Sequence, residues 1–285
     1  MSTWIGLLLY LIIGPVAGGL LAGVDRKISA RMQSRLGPPL LQPFYDVLKL
    51  FHKENIVVRR SQNFYIVFFL ILMIFTGALF FAGSDVLLVI FALTLAAIFL
   101  VLGAYKASSP YSFVGAEREL ILMMAYEPMV LFTAIGMYMV TGSFYVYDIA
   151  AHHQSLLWTL PGVFLGLLFA LEIKFRKSPF DISCSHHAHQ ELVRGLTTEF
   201  SGEALAMIEI AHWYENVLLL GWVYLFFASW HPLLALAATG LVFLFVILVD
   251  NAFARLRWRT ALKSAWAIAL VLGFGNIMVL SLYRK

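Results

Sequence analysis

Val86-Leu-Leu-Val-Ile-Phe-Ala-Leu-Thr-Leu-Ala-Ala-Ile-Phe-Leu-Val-Leu-Gly-Ala-Tyr105 runs for 20 residues without a charge or a proline. A helix of about 20 residues spans roughly 30 Å, the thickness of a bilayer's hydrocarbon core. The run is continuously apolar, whereas a membrane barrel strand alternates its two faces over ~10 residues. It reads as a helix that crosses a membrane and closes its backbone hydrogen bonds internally. Seven more stretches of this kind follow from the same reading: 4–24, 63–82, 120–141, 156–173, 204–229, 233–250 and 264–283.

Composition agrees with that window. Of 285 residues, 61% are hydrophobic and 13% charged, with a mean hydropathy of +0.86, far from the balance of a soluble domain. A water-soluble enzyme is excluded, and an all-α polytopic protein with eight transmembrane helices in a single domain over 1–285 is expected. Cys184 is the one cysteine, so an internal disulfide or a cysteine-held iron-sulfur cluster is excluded. No phosphate-binding loop, GxGxxG turn or nucleophile triad is present. The bilayer, and no nucleic acid, is the expected surroundings of the net charge of +4.

Eight spans place the segments 25–62, 106–119, 174–203 and 251–263 on one side, with 8, 2, 4 and 4 Lys or Arg, or 18 of the 20. The segments between the other spans, 83–85, 142–155 and 230–232, hold none. The positive-inside bias thus predicts a multi-pass protein of the cell membrane with large cytoplasmic loops and both termini outside. The basic residues follow the first apolar stretch, which argues against a cleaved signal peptide.

Two of these loops are long and mix charge with aromatic residues. In the first, Pro38, Pro39 and Pro43 can open a helix, and Leu40, Leu41, Phe44, Val47, Leu48 and Phe51 recur at helical spacing. This predicts an interfacial amphipathic helix, with Asp46 and Lys49 three residues apart and able to pair. The second loop gathers Arg176, Lys177, Asp181, His186, His187, His189, Glu191, Arg194, Glu199 and Glu203. Its three histidines invite a metal reading, but no Asp or Cys completes a known ligand spacing. A chain of His and Glu that takes up and releases protons near neutrality fits better, and a hydrated surface that contacts a partner protein is compatible with it.

Carboxylates within the spans are the remaining signal. A charge at the bilayer centre costs at least about 2.5–3.5 kcal/mol on insertion scales, so such groups face the bundle interior and often line an ion path. Glu127 directly precedes Pro128, whose missing N–H loosens the helix beside the acid. Glu209, His212, Glu215 and Asn216 fall on one polar stripe of roughly 120° at ~100° per residue. Glu172 and Asp250 end their spans, where the plain structural reading puts them in headgroup-level water. A proton path through Glu127, Glu172, Glu209, His212 and Glu215 is expected.

The motifs then resemble a known family. RLGPPLLQPFYDVLK at 35–49, with Arg35, Asp46 and Lys49; GAEREL at 115–120, with Glu117, Arg118 and Glu119; Tyr126-Glu127-Pro128; SPFD at 178–181; HQEL at 189–192; and TEFSG at 198–202 are similar to segments of the membrane subunit that forms the quinone chamber of respiratory complex I. The resemblance is greater to its counterpart in energy-converting, Ech-type (group 4) nickel-iron hydrogenases. The segment from Arg35 to Gln42 is shorter than in the quinone enzyme, and His187-Ala-His189 stands where that enzyme has two glutamates.

The resemblance implies a subunit that carries no redox centre of its own. It implies four partners: a hydrogenase large subunit with a nickel-iron centre, a small iron-sulfur subunit, a ferredoxin-like iron-sulfur subunit and an antiporter-like membrane subunit. Electrons would pass from reduced ferredoxin to protons, and the long loops would couple that redox arm to proton or sodium movement. The homologous subunit of a formate hydrogenlyase or of a quinone- or F420-linked dehydrogenase is the nearest alternative. An autonomous secondary transporter, or a passive anchor whose acids only bond helices together, stands outside that class.

Overall fold

A computed structural model describes residues 3–54, 60–177, 180, 194–254 and 256–283. Among them the regular structure is entirely helical, in keeping with internally paired backbone. In chain order the helices are α1 (Thr3–Met32), α2 (Gln42–Phe51), α3 (Arg60–Phe81), α4 (Val86–Lys106), α5 (Pro110–Thr141), α6 (Val146–Ala151), α7 (Leu156–Thr159), α8 (Pro161–Lys174), α9 (Gly202–Phe227), α10 (Pro232–Ala252), α11 (Trp258–Ile268) and α12 (Gly275–Tyr283), with a π-helical segment, Ala269–Phe274, joining the last two.

Six of these stretches are long and apolar enough to cross a membrane: Ile5–Met32, Ser61–Phe81, Val86–Lys106, Pro110–Thr141, Pro232–Ala252 and Trp258–Tyr283. The other two apolar stretches correspond to α9, 26 residues long, and to the pair α7 and α8. Two loops are shorter than the hydropathy suggests. α1 continues past Val24 to Met32 because no breaker intervenes before Ser34, which adopts a left-handed backbone (φ 57°). α5 starts at Pro110, a residue suited to a first turn, so Glu117, Arg118 and Glu119 lie on a helix and not in a loop.

The chain folds as two units. The first holds Met1–Ala78, Phe91–Leu120 and Asp181–Val217, and the second Leu79–Ile90, Ile121–Phe180 and Leu218–Lys285. Glycines on two faces of α1 organise the first. A Cβ on Gly18 would stand 2.3 Å from the Trp213 carbonyl oxygen of α9, and one on Gly14 3.0 Å from the Tyr214 ring. On the next face, a Cβ on Gly19 would meet the Phe44 ring of α2 at 2.5 Å and one on Gly23 the Leu40 carbonyl oxygen at 2.0 Å. Gly14 and Gly18, and likewise Gly19 and Gly23, are four residues apart, the spacing at which small residues let helix backbones meet in apolar surroundings. Tyr10 and Tyr214 fasten the first contact: Tyr10 Oη donates to the Tyr214 carbonyl at 3.2 Å, and Tyr214 Oη to the Leu11 carbonyl at 2.9 Å.

In the second unit the stretch expected as a single helix over 156–173 is broken. Leu160 leaves helical geometry (φ −125°, ψ 48°) and Pro161 restarts the chain as α8, a helix of 14 residues. At ~1.5 Å per residue such a helix is about 21 Å long, shorter than the ~30 Å hydrocarbon core. The first-turn amides, which have no partner within α8, are bonded by another helix: Asn276 Oδ1 of α12 accepts from the backbone N–H of Gly162 at 3.0 Å and of Val163 at 3.1 Å. A Cβ on Gly162 would lie 2.7 Å from the Leu272 carbonyl oxygen in the π-helical turn. The extra residue of a π turn shifts the register of one helix against another, and here it accompanies a backbone contact too close for a side chain.

Removing that acceptor has a predictable cost. Each buried amide left unsatisfied costs about 1–3 kcal/mol, so Asn276→Leu is expected to destabilise the protein by about 2–6 kcal/mol. A thermal-unfolding midpoint in detergent equal to that of the unchanged protein would contradict this.

Candidate functional site

The amphipathic helix of the first loop forms as expected. α2 opens with Pro43 in its first turn and buries Pro43 and Val47. Val47 packs in a cluster with Ala206 and Trp213 of α9, and the Phe44 ring lies 5.1 Å from that of Trp213. Tyr45, Leu48 and Phe51 remain exposed, so its apolar surface is wider than the face that packs on the protein. The expected pairing of Asp46 with Lys49 does not occur. Asp46 Oδ2 instead accepts from Arg26 Nη1 of α1 at 2.6 Å and Oδ1 from Gln42 Nε2 at 2.8 Å. Extending α1 to Met32 is what brings Arg26 there, and Lys49 stays exposed. With side chains 39% and 42% exposed, the Arg26–Asp46 pair contributes no more than about 1 kcal/mol. Arg35 is exposed and donates to the Gln33 side chain.

Of the second loop, Asp181, His186, His187, His189 and Glu191 lie outside the described residues. Arg194 is exposed and left-handed (φ 53°), Glu199 is half-buried and Glu203 exposed at the start of α9. Gly195 and Leu196 press on α5: a Cβ on Gly115 would be 2.4 Å from the Gly195 carbonyl carbon. The Gly115-Ala-Glu-Arg-Glu motif therefore seats the end of the loop. It also places Glu119, 8% exposed, in the interior and leaves Glu117 exposed and Arg118 half-buried. The Gln62 side chain, 1% exposed, donates to the Glu199 carbonyl at 3.5 Å.

The polar stripe of α9 is in the first unit and faces inward at its centre. Glu215 is 3% exposed, while Glu209 and His212 are half-buried, each engaged with a neighbour. The His212 ring meets Phe69 of α3 edge-on at 5.9 Å. Tyr10, next to Tyr214, feels the charge of Glu215.

The second unit holds a denser set. Glu127 lies on α5 before Pro128, and its Oε1 is buried without a hydrogen-bond partner. Glu172, in the last turn of α8, is 5% exposed with neither carboxylate oxygen hydrogen-bonded. The expectation that Glu172 meets water at the headgroups is therefore corrected: α8 ends inside the protein. Asp250 near the end of α10 is also screened from water, its side chain 16% exposed and accepting from Lys177 Nζ at 3.3 Å. Asp250 and Lys177 are the charges that act on Glu172. Burying an unpaired carboxylate costs several kcal/mol, so the charge of Glu172 is tied to that of its neighbours.

Sequence reasoning assigns no role to Lys174 and meets Tyr126 only as the neighbour of Glu127. Lys174 is 7% exposed, with Nζ 4.5 Å from the centroid of the Tyr126 ring. A lysine at the boundary of a span reads as a marker of membrane orientation, and nothing local signals that this one turns inward.

Comparison with known proteins bears on the whole chain. The profile of the NADH dehydrogenase family matches residues 5–281. A subunit of the NADH-quinone oxidoreductase of Anoxybacillus flavithermus is 30% identical over 315 residues, covering 99% of this chain and 92% of that protein. Hydrogenase-4 component C of Escherichia coli is 32% identical over 204 residues, covering 66% of this chain and 64% of that protein. Among solved structures, a chain of the membrane-bound sulfane sulfur reductase, an archaeal respiratory membrane complex, superposes with a TM-score of 0.85 at 26% identity, covering 98% of this chain and 99% of that one.

Proposed function

Because this chain belongs to the NADH dehydrogenase family of membrane subunits and is homologous to those of complex I and Ech-type hydrogenases, we propose that it is the ion-translocating anchor of a ferredoxin-dependent, hydrogen-evolving hydrogenase complex. The observation that supports ion movement most directly is that Glu127 Oε1 and both carboxylate oxygens of Glu172 are buried without a hydrogen-bond partner. Such groups are expensive in an apolar interior unless their charge changes in use. Similarity to hydrogenase-4 component C supports the hydrogenase branch, as do His187 and His189 in place of acids.

In this reading the chain crosses the cell membrane eight times with both termini outside. The loops bearing Arg35, Asp181, Glu191 and Glu199, together with the start of α5 that bears Glu117, face the cytoplasm and meet the redox arm. The nickel-iron centre and iron-sulfur clusters belong to the partners: a large subunit, a small iron-sulfur subunit and a ferredoxin-like subunit, with an antiporter-like protein beside the chain in the membrane. Coupling is electrostatic. Two charges ~4 Å apart at an effective dielectric of ~20 interact by about 4 kcal/mol, enough to carry a change of charge in the loop from one acid to the next.

Purifying the native complex and determining its subunits and metals tests the reading. Nickel together with iron, and hydrogen formed from reduced ferredoxin, are expected. A complex that transfers electrons but contains no nickel would overturn the hydrogenase assignment. It would favour a second reading, supported by the likeness to a sulfane sulfur reductase chain, in which the protein serves a respiratory complex with another terminal electron acceptor.

A further inference from the structure

Glu127 Oε1 is buried without a hydrogen bond, so no partner fixes the acid at that oxygen and its place follows the backbone that carries it. That backbone is weak at this point. Pro128, the next residue, has no N–H and leaves the carbonyl four residues before it without a helical partner. Neighbouring elements must hold α5 here, and the two residues that flank Glu127-Pro128 both rest on α8. Before the pair, the Tyr126 ring has Lys174 Nζ 4.5 Å from its centroid. After it, Met129 is 2% exposed and lies against Gly166.

The place of the Met129 thioether is made by missing side chains on two elements. A Cβ on Gly166 of α8 would stand 2.4 Å from Met129 Sδ and 2.7 Å from Cε, and one on Gly273 of the π-helical segment 3.0 and 3.2 Å from the same atoms. Neither glycine has a left-handed backbone, so each supplies space and not conformational freedom. An unbranched, flexible thioether suits such an irregular gap. The contact continues along α5: Thr133 Oγ1 donates to the Met129 carbonyl at 2.9 Å, and a Cβ on Gly136 would be 3.2 Å from the Leu160 side chain ahead of α8. Tyr126, Met129 and Gly136 thus form one seam. Glu127 stands about 160° round the helix from Met129 at ~100° per residue. The face that holds α5 and the face that carries the acid are therefore separate, and any turn of the helix about its axis displaces Glu127.

We propose that Met129 is a positioning residue for Glu127: its thioether, lodged between Gly166 and Gly273, fixes the turn of α5 that Pro128 weakens and with it the acid. The inference rests on the reading of the chain as ion-translocating through Glu127 and names what holds that group in place. Met129 itself takes no part in ion transfer.

The test uses the purified native complex in proteoliposomes, driven by dithionite-reduced methyl viologen, with ions moved per electron measured against pH. Met129→Ala is expected to keep the subunit composition and the electron flux but to slow ion movement by up to about a hundredfold, the loss that a misplacement of ~1 Å brings. The pH of half-maximal ion movement also shifts, because the surroundings of the acid have changed. Met129→Leu, which conserves volume, retains the original profile. A thermal midpoint lowered in Met129→Ala with the rate and pH profile unchanged would show that Met129 only fills space, and would overturn the proposal.

Should Met129→Ala fail to assemble, Gly166→Ala provides the second arm, since its methyl group drives the sulfur out of the gap while Met129, Pro128 and Glu127 all remain. The same slowing and the same shift are expected there, and an original profile overturns the proposal. Failure of both variants to assemble, while Met129→Leu assembles, would mark a packing role alone and overturn it too. An unchanged complex that transfers electrons yet moves no ions would instead overturn the ion-translocating reading itself, a result distinct from any behaviour of the variants.

Discussion

Glu127→Gln is expected to leave the complex assembled and electron transfer running while coupled ion movement falls by at least about a hundredfold, the contribution of a positioned proton carrier. The substitution keeps the shape of the side chain and removes its proton. Glu127 Oε1 is already buried without a partner, so the amide forfeits no hydrogen bond at that oxygen, and a neutral group is cheaper to bury than a charged one. Stability is therefore expected to hold or rise as transport is lost. That pairing separates a proton path from a passive anchor, in which the acid serves only to bond helices and its removal lowers the unfolding temperature without touching transport. Ions moved per electron in proteoliposomes, together with the thermal midpoint of the same preparation, decide between them. Unaltered ion movement would refute the role given to Glu127.

Gly18→Leu is expected to prevent the protein from accumulating in the membrane. Even the first atom of any side chain there would stand 2.3 Å from the Trp213 carbonyl oxygen, well inside van der Waals contact, and the obstacle is helix backbone that no rotamer change relieves. Gly18→Ala alone forces α1 away from α9 and is expected to cost about 1–3 kcal/mol as overpacking, despite the gain of about 1 kcal/mol from alanine's helix propensity. Displacing α1 also stretches the two tyrosine hydrogen bonds, at 3.2 and 2.9 Å, that join α1 to α9 next to Glu215. Gly240 of α10 is the control, because nothing lies within 4 Å of a Cβ built there. Gly240→Ala is expected to gain up to about 1 kcal/mol. If Gly18→Ala and Gly240→Ala unfolded at the same temperature, the proposed limit on the approach of α1 to α9 would be wrong.

Several elements of the fold were legible in single windows of sequence. The stretch at 86–105 becomes α4, and the proline-led segment after Gly37 becomes the amphipathic α2, since both depend on the solvent that a local face meets. Errors arose where a neighbour distant in sequence decides. Pro161 was a local sign that a helix restarts there, as proline favours a first turn, but hydropathy ran straight across it. The acceptor that stabilises the restart, Asn276, lies 114 residues beyond Gly162. Asp46 had Lys49 within reach on its own helix, yet Arg26 on α1 holds it. Glu172 read as a residue at the water's edge because it ends an apolar run, whereas it is 5% exposed.

By itself, then, the sequence determined the solvent of this protein, its helical class, its family and the presence of acids where charge is expensive. Transfer from water to lipid acts on each short window independently, and the family motifs are local strings, so both can be read residue by residue. The tertiary structure alone decided which carboxylate oxygens are left without a hydrogen bond and which are held, turned Lys174 inward onto Tyr126, moved Glu172 out of water and gave Asp250 the Lys177 ammonium as its partner. Burial and ionic partnership are properties of space between helices, and residues far apart in the chain set them together.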